Sequence, residues 1–177
     1  MKNRNYIEKI KLALNLTKEL VVFMCVIILF FVIMSIFGHQ DQAILWSSIL
    51  IIFSSAKIYF LVSHTFKKVD NLLENNHSFK HMVFLLGAII TLLILSFSID
   101  YLCVSQIYIN AFYGIENGDP LHYQFFNLIY FSIVTFTTVG YGDIAPLNPI
   151  AKIITVFEMM SAFVVIMFVI SKYFRNK

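Results

Sequence analysis

The chain has 177 residues, of which 59% are hydrophobic and 13% are charged, and its formal net charge is +3. A soluble globular protein is about half apolar and about a quarter charged, so this composition excludes an ordinary soluble enzyme. It also excludes an intrinsically disordered chain, because the apolar content is high and the net charge is small.

Four long apolar runs follow one another along the chain, at residues 20–37, 43–62, 82–104 and 153–171. Each is close to the length of about 20 residues that an α-helix needs to cross the hydrocarbon core of a bilayer. A fifth run, at residues 125–136, is too short to cross and has the length of a re-entrant helix. The pattern predicts an all-α membrane protein with four transmembrane helices and one re-entrant helix.

The distribution of positive charge predicts the orientation of these helices. Eleven of the 13 Lys and Arg residues precede the first run, lie between the second and third runs, or follow the fourth. No Lys or Arg occurs between Lys80 and Lys152. Because positively charged loops stay on the cytoplasmic side, we expect a cytoplasmic N-terminal segment at residues 1–19 and a cytoplasmic loop at residues 64–81. The first two helices form an N-terminal unit at residues 20–63, and both termini of this multi-pass cell-membrane protein are expected to be cytoplasmic.

The re-entrant run leads into the sequence TFTTVGYGD at residues 135–143. This segment resembles the selectivity filter of the potassium-channel pore family, and it lies between apolar helices as it does there. The chain resembles a small prokaryotic-type channel whose two-helix pore domain, here residues 82–174, follows two extra transmembrane helices. The resemblance implies an outer helix at 82–104, a pore helix at 125–137, a filter at 138–142 and an inner helix at 151–173.

The residue types in this segment suit the transfer of a K⁺ ion out of water. An ion that enters a narrow pore loses its hydration water, and rings of backbone carbonyl oxygens can replace it. Gly140 and Gly142 permit the alternating backbone conformations that aim successive carbonyls at one axis. One pore loop cannot close a fourfold filter, so a homotetramer is expected. The resemblance implies that each chain contributes five filter residues, Thr138, Val139, Gly140, Tyr141 and Gly142.

Residues around the filter are expected to support it. Tyr130 stands where family members often carry Trp, and we expect its hydroxyl to hydrogen-bond Asp143. Val134 stands where some members carry a carboxylate, so filter inactivation through such a carboxylate is not expected. The full set of expected supporting residues is Thr137, Asp143, Tyr130, Val134 and Glu158.

Three charged residues, Lys57, Asp100 and Glu158, lie inside the apolar runs, where charge is costly and commonly functional. Two interpretations of Glu158 remain open. It braces the back of the pore helix through a hydroxyl such as that of Ser132 or Thr135, or it is solvated near the outer interface. Lys57 is expected to extend its ammonium group to the cytoplasmic interface. Because a voltage sensor carries Arg or Lys at every third position, a single Lys predicts a scaffold or regulatory role for the first two helices.

The inner helix carries apolar residues at helical spacing on one face. We expect this face to line the lower cavity and to gate the pore by dewetting, and packing against the outer helix is the alternative. Ala162 occupies the place of the family's hinge glycine, so a glycine-hinge opening is not expected. The residues of this inner gate are Phe163, Ile166, Met167, Ile170 and Phe174.

These features together predict a potassium-selective channel that conducts K⁺ passively and is not an enzyme. Its expected partners are K⁺, membrane lipid and other copies of the chain, with no cofactor and no nucleic acid. Two alternatives are a non-selective cation channel and a non-conducting, channel-like membrane subunit.

Overall fold

The computed structural model of the protein describes residues 22, 25–34, 36, 42–74, 79–116 and 118–175, without the side chains of residues 61–62, 64–74, 79–85 and 169–175. The predicted segment 1–19 and the ends of the first predicted transmembrane run, 20–37, lie outside these residues. The described elements, in chain order, are α1 (Cys25–Met34), α2 (Ala43–Glu74), α3 (Phe79–Ile107), β1 (Phe112–Tyr113), α4 (Leu121–Phe136), β2 (Ala145–Pro146) and α5 (Pro149–Arg175).

Three of the described helices are long and apolar enough to cross a membrane. Their apolar spans are Ala43–Phe60 in α2, Leu86–Ile107 in α3 and Pro149–Phe168 in α5. Helix α1 is apolar but shorter, and the stacked rings of Phe30 and Phe53, with centroids 4.1 Å apart, pack it against α2. The protein is therefore an all-α membrane protein.

The helices extend beyond the apolar runs that predicted them. Helix α2 continues to Glu74 and α3 begins at Phe79, so most of the predicted cytoplasmic loop, residues 64–81, is helical. The residues that extend α2 include Lys, Leu and Glu, which are good helix formers and need no apolar surroundings. Hydrophobicity marks the part of a helix that lies in lipid, and it does not mark where the helix ends.

Helix α4 is too short to cross the membrane, since its 16 residues span about 24 Å at 1.5 Å per residue. It begins at Leu121, four residues before the predicted pore helix, directly after Pro120. The polar first turn is held by Gln124, whose side chain donates to the carbonyl of Asp119 at 2.9 Å. The apolar run therefore located this helix but not its first turn.

Helix α5 begins at a proline that directly follows an asparagine. Pro149 occupies the first helical position, where its missing N–H has no partner to lose. The side-chain oxygen of Asn148 accepts a hydrogen bond from the backbone N–H of Ile150 at 2.7 Å and caps the helix. These two residues fix the point at which α5 begins.

Helix α3 lies at the centre of the structure, and it is the most buried of the three spanning helices. It packs against α2, α4 and α5, and α2 also packs against α5. Leu93 and Phe97 on α3 are fully buried, as are Leu128 on α4 and Ile154 on α5. This arrangement places the short helix α4, with the loop that follows it, between two spanning helices.

Candidate functional site

Backbone hydrogen bonds fix the start of the TVGYG segment to the last turn of α4. Thr137 closes the helix by donating its N–H to the carbonyl of Ile133 at 3.0 Å. The N–H of Thr138 donates to Thr135 and that of Val139 donates to Val134, each at 3.0 Å. The first residues of the predicted filter are thus fixed to the last turn of the helix, and Val134 contributes through its carbonyl.

The backbone of this segment alternates in handedness. Thr138, Gly140 and Gly142 have φ angles of +60°, +58° and +80°, whereas Val139 and Tyr141 are not in the positive-φ region. Glycine adopts positive φ without steric cost, which explains the two glycines. Thr138 has a Cβ, so its left-handed conformation costs about 1–2 kcal/mol. The sequence predicted the alternation at the glycines but gave no indication that Thr138 shares it.

Val139 and Tyr141, which lie between these positions, have exposed side chains in the single chain. Val139 is 51% exposed and Tyr141 is 70% exposed. Neither side chain is therefore packed into the core of its own chain.

The outer end of the segment is held by the predicted hydrogen bond, which the structure confirms. The hydroxyl of Tyr130 on α4 donates to Oδ2 of Asp143 at 2.7 Å, and the N–H of Ile144 donates to Oδ1 at 3.1 Å. The hydrogen bond to Asp143 raises the pKa of the Tyr130 phenol, because ionisation would remove the donated proton and place two negative charges together. Both carboxylate oxygens of Asp143 are therefore occupied.

Glu158 on α5 lies behind α4, where it is fully buried. The hydroxyl of Ser132 on α4 donates to its Oε1, and the hydroxyl of Tyr101 on α3 donates to its Oε2 at 2.5 Å. Ser132 is also within 3.0 Å of the carbonyl of Ile94 on α3. The bracing interpretation through Ser132 is thus correct, and solvation at the outer interface is wrong.

Tyr101 is a residue of this cluster that the sequence did not single out. It is fully buried, and its ring centroid lies 5.0 Å from that of Phe131 on α4 and 5.6 Å from that of Phe112 on β1. Phe112 and Phe131 are themselves 5.6 Å apart, in an edge-to-face arrangement that such rings favour. Three rings and one carboxylate therefore join α3, α4, α5 and β1 behind the filter segment. The one sequence signal that could have identified Tyr101 is its position in the most apolar run, because its partners are distant in sequence.

A family model described as "Ion channel" matches residues 87–176, slightly more than half of the chain. The chain belongs to the ion-channel family. It is a multi-pass membrane channel and not an enzyme.

Curated relatives match a part of this channel. The chain is 38% identical over 77 residues to "Two-pore potassium channel 4" of Arabidopsis thaliana, which covers 44% of this chain and 24% of that protein. It is 40% identical over 47 residues to "Hyperpolarization-activated voltage-gated potassium channel" of Methanocaldococcus jannaschii, covering 26% and 22% of the two chains. It is also 40% identical over 53 residues to "Voltage-gated potassium channel" of Aeropyrum pernix, covering 29% and 18%.

The channel spans about a quarter of the length of these relatives, or less. No solved structure matches it at a significant level. The similarity to these relatives therefore does not extend to whole proteins.

Lys57 of the channel does not reach the cytoplasmic interface, and that prediction is wrong. Its ammonium group forms an ion pair with Asp100 on α3, and both side chains are 1% exposed. Lys57 also donates to the carbonyl of Ser96 at 3.2 Å and lies 4.9 Å from the centre of the Phe97 ring. Asp100 offers the ammonium group a buried counter-charge on the neighbouring helix, so Lys57 is paired inside the protein although it lies only three residues before the end of the apolar span Ala43–Phe60.

Part of the predicted inner gate of the channel lies within the described side chains. Phe163, Ile166 and Met167 are all exposed on α5. Ile170 and Phe174 belong to the backbone of α5, but their side chains lie outside the description. Ala162, in the hinge position, is buried.

Proposed function

We propose that this protein conducts K⁺ passively and selectively, through a filter built from residues 138–142 of four identical chains. The observation that carries the proposal is the alternation of positive φ at Thr138, Gly140 and Gly142. Residues that alternate between left- and right-handed conformations turn successive carbonyls to the same side, and a column of carbonyl oxygens replaces the hydration shell of K⁺. The potassium channels named among its relatives support the choice of ion.

The exposed sides of the filter segment support a tetramer. Val139 and Tyr141 point into no core of their own chain, which suits contacts with neighbouring copies around a fourfold axis. The end of α4 precedes the filter, and the partial negative charge of a helix C-terminus favours a cation beside it. A single chain offers only one quarter of such a site.

The exposed face of α5 supports an apolar inner gate. Phe163, Ile166 and Met167 are exposed in the single chain, so they are available to line a central cavity. Narrow apolar constrictions close a pore to ions by dewetting. In the proposed assembly this face lies on the cytoplasmic side of the filter, with both termini cytoplasmic in the cell membrane.

Cation flux through the purified protein in liposomes tests the proposed function. We expect flux down a K⁺ gradient and none down an equal Na⁺ gradient. Gly140→Asp is expected to abolish the flux, because Asp at φ +58° strains the backbone that aims the carbonyls and adds a charge to the proposed filter. Gly87→Ala is the matched control, since Gly87 lies in α3 with no atom within 4 Å of an added Cβ.

The remaining outcomes identify the alternatives. Equal flux of K⁺ and Na⁺ would establish a non-selective cation channel. An absence of flux that persists in Met167→Asn, which hydrates the proposed constriction, would establish a non-conducting subunit.

A further inference from the structure

The segment before α4 and the segment after the filter are joined by a short antiparallel ladder. Phe112 of β1 pairs with Pro146 of β2, and Tyr113 pairs with Ala145. The carbonyl of Ala111 extends the ladder by accepting the N–H groups of Leu147 at 2.9 Å and Asn148 at 3.2 Å. We call this ladder, residues 111–114 with residues 143–148, the outer clamp.

Gly114 brings the outer clamp into direct contact with the end of the filter. A Cβ added to Gly114 would lie 2.3 Å from the carbonyl oxygen of Asp143, the residue that follows the last filter residue. Gly114 also has a φ of +78°, a conformation that residues with a Cβ rarely adopt. No residue except glycine fits this contact without displacing Asp143.

The outer clamp is anchored firmly enough to hold Asp143 in place. Phe112 is buried and packs against the rings of Tyr101 and Phe131, so β1 is fixed to α3 and α4. From the opposite side, Tyr130 on α4 binds the carboxylate of Asp143. The backbone and the side chain of Asp143 are thus held by two different parts of the chain.

The geometry points to the outer clamp as a specificity-determining element of the filter, with Gly114 as a positioning residue that acts through Asp143. This inference rests on the proposed function. Ion selection by carbonyl rings depends on where the oxygens lie, whether by fit or by field. A shift of Asp143 is passed along the backbone to Gly142 and to the outer end of the filter.

Gly114→Ala forces such a shift. Ordinary van der Waals contact begins at 3.4 Å, so the added Cβ and the carbonyl oxygen must separate by about 1 Å. Gly118→Ala is the matched control, because Gly118 lies in the same loop, is not in the positive-φ region, and has nothing within 4 Å of an added Cβ. The two variants make the same chemical change, and only one of them touches the filter.

The experiment measures reversal potentials in K⁺ against Na⁺ for the full-length protein in planar bilayers or liposomes. We expect Gly114→Ala to lower the K⁺/Na⁺ permeability ratio about tenfold or more, while Gly118→Ala keeps the ratio of the unsubstituted protein. Equal ratios for the two variants would overturn the inference.

A second measurement does not depend on conduction. Tyr113→Cys with Ala145→Cys places two thiols at paired positions of the ladder, and Tyr113→Cys with Leu147→Cys is the out-of-register control. Both pairs are made with Cys25→Ala, since Cys25 is exposed and Cys103 is buried. We expect mild oxidation to cross-link the in-register pair alone, with a lower yield when Gly114→Ala is added and an unchanged yield with Gly118→Ala.

The two measurements separate the two proposals. Cross-linking as expected in a protein that passes no K⁺, even with Met167→Asn, would refute the proposed function and with it the role in ion selection, and would leave only the positioning of Asp143 by Gly114 standing. Selective K⁺ flux together with a cross-linking yield that Gly114→Ala does not change would refute the outer clamp and leave the proposed function standing.

Discussion

Lys57→Met removes one partner of the buried ion pair between α2 and α3. The carboxylate of Asp100 then keeps the hydroxyl of Ser54, which donates to it at 2.6 Å, but loses its counter-charge. With Asp100 1% exposed, water cannot replace the ammonium group. A buried charge without a counter-charge is the costliest defect that a single substitution can make in such a core.

The expected loss follows from that burial. Removing one partner of a buried ion pair costs about 3–5 kcal/mol, a large part of the roughly 5–15 kcal/mol by which proteins are stable. Replacing both partners with apolar residues of similar volume is neutral or stabilising in comparable pairs. We therefore expect Lys57→Met to lower the free energy of unfolding by about 3–5 kcal/mol, and Lys57→Met with Asp100→Leu to recover most of the loss.

Unfolding in mixed detergent micelles, followed by circular dichroism, measures these differences. Lys152→Met is the control, because Lys152 is exposed on the first turn of α5, and its effect should stay within about 0.5 kcal/mol. The reasoning is refuted if Lys57→Met is as stable as the control, or if the double variant is no more stable than Lys57→Met alone.

Two further substitutions test the contacts around the filter. Glu158→Leu leaves the buried hydroxyl of Tyr101 without its acceptor, while Ser132 can still donate to the carbonyl of Ile94, so the protein should lose about 1–3 kcal/mol of stability. Glu158→Gln keeps an acceptor for Tyr101 and should cost less. The same micelle unfolding assay measures the free energy of unfolding of the two Glu158 variants, and an equal loss in both would contradict the hydrogen-bond assignment. Tyr130→Phe should leave the unfolding midpoint unchanged but lower the K⁺/Na⁺ permeability ratio, because it frees one oxygen of Asp143. Tyr123→Phe, at an exposed position on the same helix, should change neither the unfolding midpoint nor the permeability ratio. An equal fall of the permeability ratio in both variants would show that the hydrogen bond is irrelevant.

The membrane architecture was predictable because hydrophobicity and charge report directly on the lipid environment. The apolar runs located α2, α3 and α5, and the short run located α4. The ends of the helices were harder to predict, because α2 continues to Glu74 through residues that favour a helix but not lipid. A helix that leaves the bilayer keeps its backbone hydrogen bonds while its hydrophobic pattern disappears.

The contacts behind the filter were only partly predictable, and the reason is the relative register of the helices. Tyr130 and Asp143 are 13 residues apart around one loop, so their hydrogen bond follows from local geometry. Lys57 and Asp100 are 43 residues apart on different helices, and their pairing depends on how far α2 is shifted along α3. An apolar run does not encode that shift.

Gly114 shows a further limit of sequence reasoning. A glycine in a loop predicts a turn, and the sequence offers no reason to distinguish Gly114 from Gly118. The distinction appears only when the chain returns after α4 and places Asp143 against one of them. Positions fixed by a distant backbone atom are therefore invisible before the fold is known.

Asp100 and Tyr101 are neighbours on α3 but serve partners from opposite ends of the chain, Lys57 on α2 and Glu158 on α5. This has a consequence for biosynthesis, since a chain is made from its N-terminus. Lys57 precedes Asp100, so the two charges can neutralise each other as α2 and α3 enter the bilayer together as a helical hairpin. Glu158 is made last, when the hydroxyl of Tyr101 that donates to its carboxylate is already present in the chain. The order of the residues along the chain thus gives each of these buried acidic groups a partner that was made before it.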